Sequence, residues 1–583
     1  MPSLPAHAWR GHNIWCITQA TFDLPSLLSA WAQWLADPER PTLLHVLAVA
    51  SSAPSAQDLQ HIASAHPQHA GLIGELSAQC WGLLPGLHRL RLSGGSFAGE
   101  LGGQLLLTLC VGPSADFAAL LARHPTGPCT ASTALPPVGE RTVTVVGSGI
   151  AGAGTARALA ERGWQVTVLD AGSAPAAGAS GLPVGLVAPH TSPDDSLISR
   201  LSRAGVRTMQ HAMRTLLQAG TDWAPTGVQE RRLPGKTRKG GAPQSWSHEL
   251  AEAGQAWTCA ASPPAPANAL WHAKGAWLRP ARLVHALLQH PNIRWQGQAR
   301  ADALRAVDTV QGTAWQVLQN GQVLAQSARV VVACGPGSAA LLASVTPVAT
   351  NDCSSDTTHR ANSLPIRPLR GQISWGLMAE VTAPVPTAGT STSTSTSTST
   401  STSTSTSTSS GTGATTSASQ AQPHQPSFGL ADMWPATPVN GNGSFVHSVP
   451  TEQGPAWFAG SSFDRVNDLP VVLAADHADN LARLQALLPE TAQALGPVFA
   501  NGVRGWAGVR CSVPDRLPLV GPVAHASEGL WVNAAMGSRG LTLAQLCGEL
   551  LAARWHGEPL PVEAQLAQAL DANRFRHRSA TRA

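Results

Sequence analysis

Tyrosine is absent from the 583-residue chain, and lysine occurs only at Lys236, Lys239 and Lys274. The first absence excludes any mechanism that needs a catalytic phenol. The second leaves three candidates for lysine Schiff-base chemistry. Charged residues make up only 12% of the chain, with 38 Lys+Arg against 34 Asp+Glu and a net charge of +4. That balance is too small by itself to announce a nucleic-acid partner. No apolar run approaches the ~18 unbroken residues of a membrane span. The opening MPSLPAHAWRGHNIWC lacks a basic stretch followed by an apolar one, so no signal peptide is expected and the cytoplasm is the expected location. The nine cysteines are never closer than nineteen residues, which excludes CxxC-type zinc or redox motifs and suits scattered reduced thiols. His61, His66 and His69 lie close together with no HExxH beside them, so no metal is expected.

What is present is ample core material, 43% hydrophobic residues, enough for about three or four domains of roughly 150 residues. A Thr-Ser alternation from Thr390 to Ser409, extended by SGTGATTSASQAQPHQP, has no apolar face to bury and cannot repay its ordering entropy. Its flanks, LPIRPLRGQISWGLM and GNGSFVHSVP, both read as strands, so the tract is expected to be a loop insertion at a long hairpin tip. A second composition shift falls at ALPPVGE, residues 134–140, and a βαβ pattern follows it directly. Arg141–Val146 (RTVTVV) reads as a short strand, GSGIAGAGTARALAERG as a Gly-rich turn entering a helix, and Gln165–Asp170 (QVTVLD) as the next strand.

Gly147, Gly149 and Gly152 form GxGxxG at the place where a dinucleotide needs it. The first permits the tight turn, the second lets a pyrophosphate approach the backbone, and the third lets helix and strand pack closely. The helix N-terminus then faces the phosphates with free N–H groups and its positive dipole end. Asp170, 23 residues past the first glycine, can accept from a ribose hydroxyl. This motif alone does not choose between FAD and NAD. Arg329–Gly335 (RVVVACG), Gly529–Ala534 (GLWVNA) and a long helix from Leu541 to about Trp555 lean towards FAD. That helix can aim its N-terminus at a flavin pyrimidine, where charge accumulates on reduction.

The segment GSGIAGAGTARALAERGWQVTVLDAGSAPAAGASGLPVGLVAP resembles the FAD-binding start of the glycine oxidase and D-amino-acid oxidase superfamily. More specifically it resembles the C-terminal oxidoreductase half of the MnmC family, enzymes of 5-methylaminomethyl-2-thiouridine synthesis in tRNA. GAWLRPARLVHALL, LPIRPLRGQISW, RGWAGVRCSVPDRLPLVGPV and MGSRGLTLAQLCGELLAARWHGEPLP extend the similarity over roughly residues 138–578. The resemblance implies FAD-dependent oxidation of a carboxymethylaminomethyl group on the wobble uridine, with glyoxylate leaving and an aminomethyl uridine remaining. It also implies that Arg510, in GVRCSVPD, pairs with the substrate carboxylate, for which the bidentate arginine fork is suited. A structural salt bridge from Arg510 to Asp515 or another carboxylate is the alternative. Ser180, Gly181, Gly185, Gly335, Gly537, Ser538, Arg539 and Gly540 are implied to touch FAD, with shaping the turns alone as the alternative for some of the glycines. Without tyrosine, the tyrosine-assisted carboxylate site of related oxidases cannot operate. No general base is evident, which suits direct hydride transfer from a neutral amine.

WRGHNIWCITQATFDLPSLLSAWAQWLADPERPTLLHVLAVA resembles the family's methyltransferase half, but with losses. TQATFDLPSLL (Thr18–Leu28) has no glycine where the family has a Gly-rich loop. Ala50 and Ser51 stand where an acid would grip the S-adenosylmethionine ribose. The later catalytic segment has no counterpart before Pro136, and Leu105–Gly112 (LLLTLCVG) lacks its following acid. S-adenosylmethionine is therefore not expected to bind. Two basic segments, Arg231, Arg232, Lys236, Arg238 and Lys239 in a loop and Arg574, Arg576, Arg578 and Arg582 in a tail, can contact tRNA phosphates or simply be solvated.

The expected fold is α/β: an FAD-binding Rossmann-like domain (137–200, 270–345, 505–570) with an inserted α+β substrate domain (201–269, 346–389, 428–504). A shortened methyltransferase-like region (1–136) precedes it, 390–427 is the Ser/Thr insertion, and 571–583 the basic tail. Expected partners are FAD and tRNA, with no membrane. Two rival readings are a small-molecule amine or amino-acid oxidase of the same fold, and a non-catalytic flavin- or RNA-binding protein.

Overall fold

The computed structural model describes residues 8–92, 104–129, 135, 140–232, 250–262, 265–266, 269–310, 312–345, 364–381, 433–523 and 528–575. The Ser/Thr tract, Lys236, Arg238, Lys239, Arg576, Arg578 and Arg582 lie outside them.

The N-terminal unit is built on one sheet ordered Gly86–Leu92, Gln104–Val111, Leu43–Ala50, Ile14–Gln19 and Gly127–Pro128. Its three central strands are parallel. LLHVLAVA and QLLLTLCV read as near-continuous apolar runs because they are inner strands covered on both faces. The exceptions pair with each other: His45 Nε2 and Thr108 Oγ1 are 2.8 Å apart.

The second sheet runs Ile293–Gln296, Gln165–Leu169, Thr142–Val146, Arg329–Val332, Leu530–Ala534, Leu519–Pro522. The first five strands are parallel and the last is antiparallel. Helix Ile150–Ala160 joins Thr142–Val146 to Gln165–Leu169, as the βαβ pattern predicts. It packs against helix Gly540–His556, whose Gly548 fits against Gly154: a Cβ on Gly548 would sit 2.7 Å from the Gly154 carbonyl oxygen. The opposite face of the sheet is covered by the meander Ala303–Thr309, Gly312–Gln319, Gln322–Ser327.

A third, eight-stranded sheet carries the order Cys259–Ala260, Leu270–His272, Val228–Glu230, Val439–Gly441, Gly443–Val449, Ala456–Gly460, Arg367–Leu377, Arg504–Ser512. Helices Ala474–Leu487 and Pro489–Ala500 cover it. The structure moves three expectations. Arg504–Ser512 belongs to this sheet and not to the Rossmann-like one, because it pairs with Arg367–Leu377 from Arg367↔Ser512 to Trp375↔Arg504. Leu270–His272 belongs to it too, paired with Val228–Glu230. The strands flanking the Ser/Thr tract are not hairpin partners, since Ala456–Gly460 stands between them.

A buried charge network joins the N-terminal unit to the Rossmann-like domain. Arg162 forks onto Glu558 (2.5 and 2.8 Å) and reaches Glu549 at 3.1 Å. Arg91, from the N-terminal sheet, pairs with Glu549 and Glu161 at 2.6 Å each. The arginines hold the Glu549 carboxyl far below the usual carboxylate range despite its burial. Removing one partner of such a pair leaves a bare buried charge, which is why these networks fix a domain joint.

Candidate active site

The C-terminal ends of the Rossmann-like strands open into a cavity of about 1040 Å³ that continues under the eight-stranded sheet. Ten of the predicted residues line it: Gly147, Gly149, Asp170, Ser180, Gly185, Gly335, Arg510, Gly537, Ser538 and Gly540.

The backbone explains the glycines. Gly147 has φ +107°, and a Cβ there would lie 2.6 Å from the Ala333 carbonyl oxygen. A Cβ on Gly152 would overlap the carbonyl of Gly147, so that glycine sets helix against turn from below and does not face the cavity. Gly181 also lies off the cavity wall, with a would-be Cβ 2.9 Å from the Ala176 oxygen. Arg539 is the third predicted residue that does not line the cavity. It occupies the cap position of helix Gly540–His556, where burial first and the neighbouring Arg516 second lower its pKa.

Asp170 is fixed at the end of its strand. Its Oδ2 accepts from Ser148 Oγ at 2.8 Å and its Oδ1 from the Gly172 N–H at 2.8 Å. Ser180 Oγ accepts the Ile150 N–H at 2.9 Å and would stand 3.3 Å from a Cβ on Gly149. It therefore sits at the N-terminus of the helix that GxGxxG opens. Gly537, Ser538, Gly540 and Leu541 bring a second helix N-terminus to the same cavity.

Arg510 lies on strand Arg504–Ser512 and faces the cavity. The salt bridge weighed against its carboxylate role is absent. Asp515 instead holds Arg574 in a fork of 2.8 and 2.9 Å, which also fastens the start of the predicted basic tail to the body. Arg510 Nη1 donates to Ser538 Oγ at 3.1 Å, while Nη2 is buried without a hydrogen-bond partner. A Cβ on residue 371 would collide with that nitrogen, so Gly371 makes the room for the guanidinium. Burial lowers the Arg510 pKa to about 10, which leaves it cationic at neutral pH.

Phe463, Trp506, Asn440, Asn442 and Arg483 also line the cavity, and sequence reasoning singled out none of them. Cys334 and Cys511 stand in its wall, and burial pushes both thiols up to about 11, so neither is a thiolate at neutral pH. Among the described residues no group of three or more His, Cys, Asp or Glu is placed to hold a metal. Among them too, no helix is long and apolar enough to cross a membrane.

The FAD dependent oxidoreductase family (DAO) matches residues 142–396 and 412–554. The tRNA 5-methylaminomethyl-2-thiouridine biosynthesis bifunctional protein MnmC of Polaromonas naphthalenivorans is 38% identical over 97% of this chain and 91% of its own length. The protein of the same name from Paracidovorax citrulli is 38% identical over 97% of this chain and 93% of its own. The chain belongs to the MnmC family. Glycine oxidase from Geobacillus kaustophilus aligns over 74% of this chain and 99% of that one, at 17% identity and a TM-score of 0.45. Membership of MnmC and of the FAD dependent oxidoreductases gives the cavity its cofactor class, and the cavity fits it. Two helix N-termini, a fixed carboxylate and glycines at close backbone approaches line one continuous space.

Proposed function

We propose that the protein oxidises the carboxymethylaminomethyl group of a wobble uridine in tRNA, and that its methyltransferase step is lost. The observation that carries the first part is Arg510: a cavity-facing cation with no carboxylate of its own among the described residues and one buried nitrogen unpartnered. A substrate carboxylate supplies the missing partner as a two-point, charge-assisted contact.

FAD, when bound, supplies the hydride acceptor. The residues that would hold its phosphates and ribose are the Gly149 amide, Ser180 and Asp170, with Gly537–Gly540 at the flavin end. Arg510 holds the carboxylate and so aims the adjoining methylene. Loss of hydride from that carbon leaves a protonated imine between it and the nitrogen, which keeps its own proton. Addition of water splits the imine into glyoxylate and the aminomethyl uridine. No side chain has to take a proton from a neutral amine for this step.

For the N-terminal unit the supporting geometry is the turn after Ile14–Gln19. Phe22 N–H donates to Val49 O at 2.6 Å and its ring packs against the unit's core. Asp23 then caps helix Leu24–Ala36, accepting from Ser26 N–H at 3.2 Å. Two backbone donors of this turn, Phe22 and Ser26, are thus engaged internally.

Product analysis tests the reading. Incubation with tRNA bearing carboxymethylaminomethyl uridine is expected to release one glyoxylate per aminomethyl uridine formed. Arg510→Ala is expected to lower kcat/KM by at least about a hundredfold, the scale of a lost charge-assisted contact. Glyoxylate from free glycine but none from the tRNA contradicts it.

A further inference from the structure

On the reading above, Arg510 fixes one end of the substrate, and the rest of the nucleotide must lie in the mouth of the same cavity. That mouth is walled by the turn Asn440–Ser444, the segment Gly460–Phe463 and Arg483 on helix Ala474–Leu487. Phe463 is 49% exposed. Its ring centroid lies 5.1 Å from the guanidinium carbon of Arg510 and 5.7 Å from that of Arg483. Of the three arginines that line the cavity, Arg300 lies between Ala299 and Asp302 at the Rossmann-like end, while Arg510, deep, and Arg483, at the rim, flank Phe463 no more than about 11 Å apart.

The rim cation is the available one. Arg483 donates through Nε to Asp479 at 2.8 Å and through Nη1 to Asn442 Oδ1 at 3.4 Å. Asp479 is one helical turn away and exposed, and an exposed pair of that kind contributes little. A phosphate offering two oxygens to the fork displaces it readily. Three arginines outside the lining are engaged more firmly. Arg504 holds Glu380 in a fork of two 2.6 Å bonds, Arg231 bonds Gln229 and the Leu487 carbonyl, and Arg232 pairs with Glu230.

We propose that Arg483 reads a phosphate of the same nucleotide whose carboxylate Arg510 holds, and so selects a nucleotide-borne glycine unit over free glycine. The three-atom arm on C5 and the ribose on N1 leave the ring at positions separated only by C6, so the two anions extend from one edge of the base at a separation that two cations about 11 Å apart can span. The exposed side of Phe463, between the two cations, is the apolar surface the pyrimidine covers.

The test uses the full-length, FAD-loaded protein and anaerobic flavin bleaching by 5-carboxymethylaminomethyluridine and its 5′- and 3′-monophosphates at low salt. One monophosphate is expected to show an apparent Kd about tenfold below that of the nucleoside. Arg483→Gln should abolish the difference. Asp479→Asn, which removes the competing carboxylate, should enlarge it. Equal Kd values for all three ligands, a preference surviving in Arg483→Gln, or no gain in Asp479→Asn overturns the assignment while leaving the tRNA reading intact. No bleaching by any of the three, with FAD bound, overturns that reading and this assignment with it.

Discussion

Arg510 keeps a positive charge in a cavity wall with a single neutral hydrogen bond, to Ser538. Such a group costs folding free energy and persists where binding needs it. Arg510→Met is therefore expected to stabilise the protein by about 1 kcal/mol, read as a raised Tm, while abolishing carboxylate binding. A lowered Tm with carboxylate affinity retained contradicts the anchor role. His556 gives a second residue-scale prediction. Its Nε2 must accept from the Trp164 indole, a pure donor, while Nδ1 donates to the Ala552 carbonyl, so the ring is neutral. Burial lowers its pKa to about 4 and that of His88 to about 3. In the unfolded chain both titrate near 6.5, so the unfolded state takes up protons first as pH falls. Stability is full above about pH 6.5 and falls by about 1.4 kcal/mol per pH unit for each such histidine, down to about 4 for His556 and about 3 for His88. Urea unfolding between pH 7.5 and 5 measures the slope, and His556→Gln should reduce it by about one proton.

At the scale of elements, the site depends on how closely helices Ile150–Ala160 and Gly540–His556 approach. Both point their N-termini into the cavity, and their crossing is set by Gly154 and Gly548. Gly548→Ala forces a methyl group against backbone and is expected to destabilise by about 1–3 kcal/mol and to weaken FAD retention on gel filtration. Unchanged retention would show that the crossing does not position the cradle. The same elements show what a sequence can carry. GxGxxG, Asp170 and the strand–helix–strand around them were legible because each constraint is local: a turn of φ +107° at Gly147, a helix start at Ile150, an acid at a strand end. The eight-stranded sheet was not. Val228–Glu230 lies parallel to Val439–Gly441, more than two hundred residues away, and no local pattern announces that register. Phe463 and Arg483 reach the cavity only through that assembly. Arg539, between Ser538 and Gly540, caps the helix that they open and lies off the cavity lining, a placement that sequence adjacency does not give.

For the whole molecule, a buried charge network holds the N-terminal sheet to the Rossmann-like domain. Glu558→Gln weakens the fork that Arg162 makes at that joint and is expected to cost about 3 kcal/mol or more, measurable by urea unfolding. Calorimetric titration with S-adenosylmethionine should give no binding heat from the holoenzyme. The central claim is that one chain joins flavin chemistry to a tRNA-borne carboxylate. Anaerobic single-turnover bleaching of the bound flavin tests it most directly, with tRNA carrying carboxymethylaminomethyl uridine run beside free glycine. The account predicts bleaching by the tRNA, loss of it in Arg510→Ala, and little response to glycine. Bleaching by glycine alone, or by neither ligand with FAD bound, would contradict it.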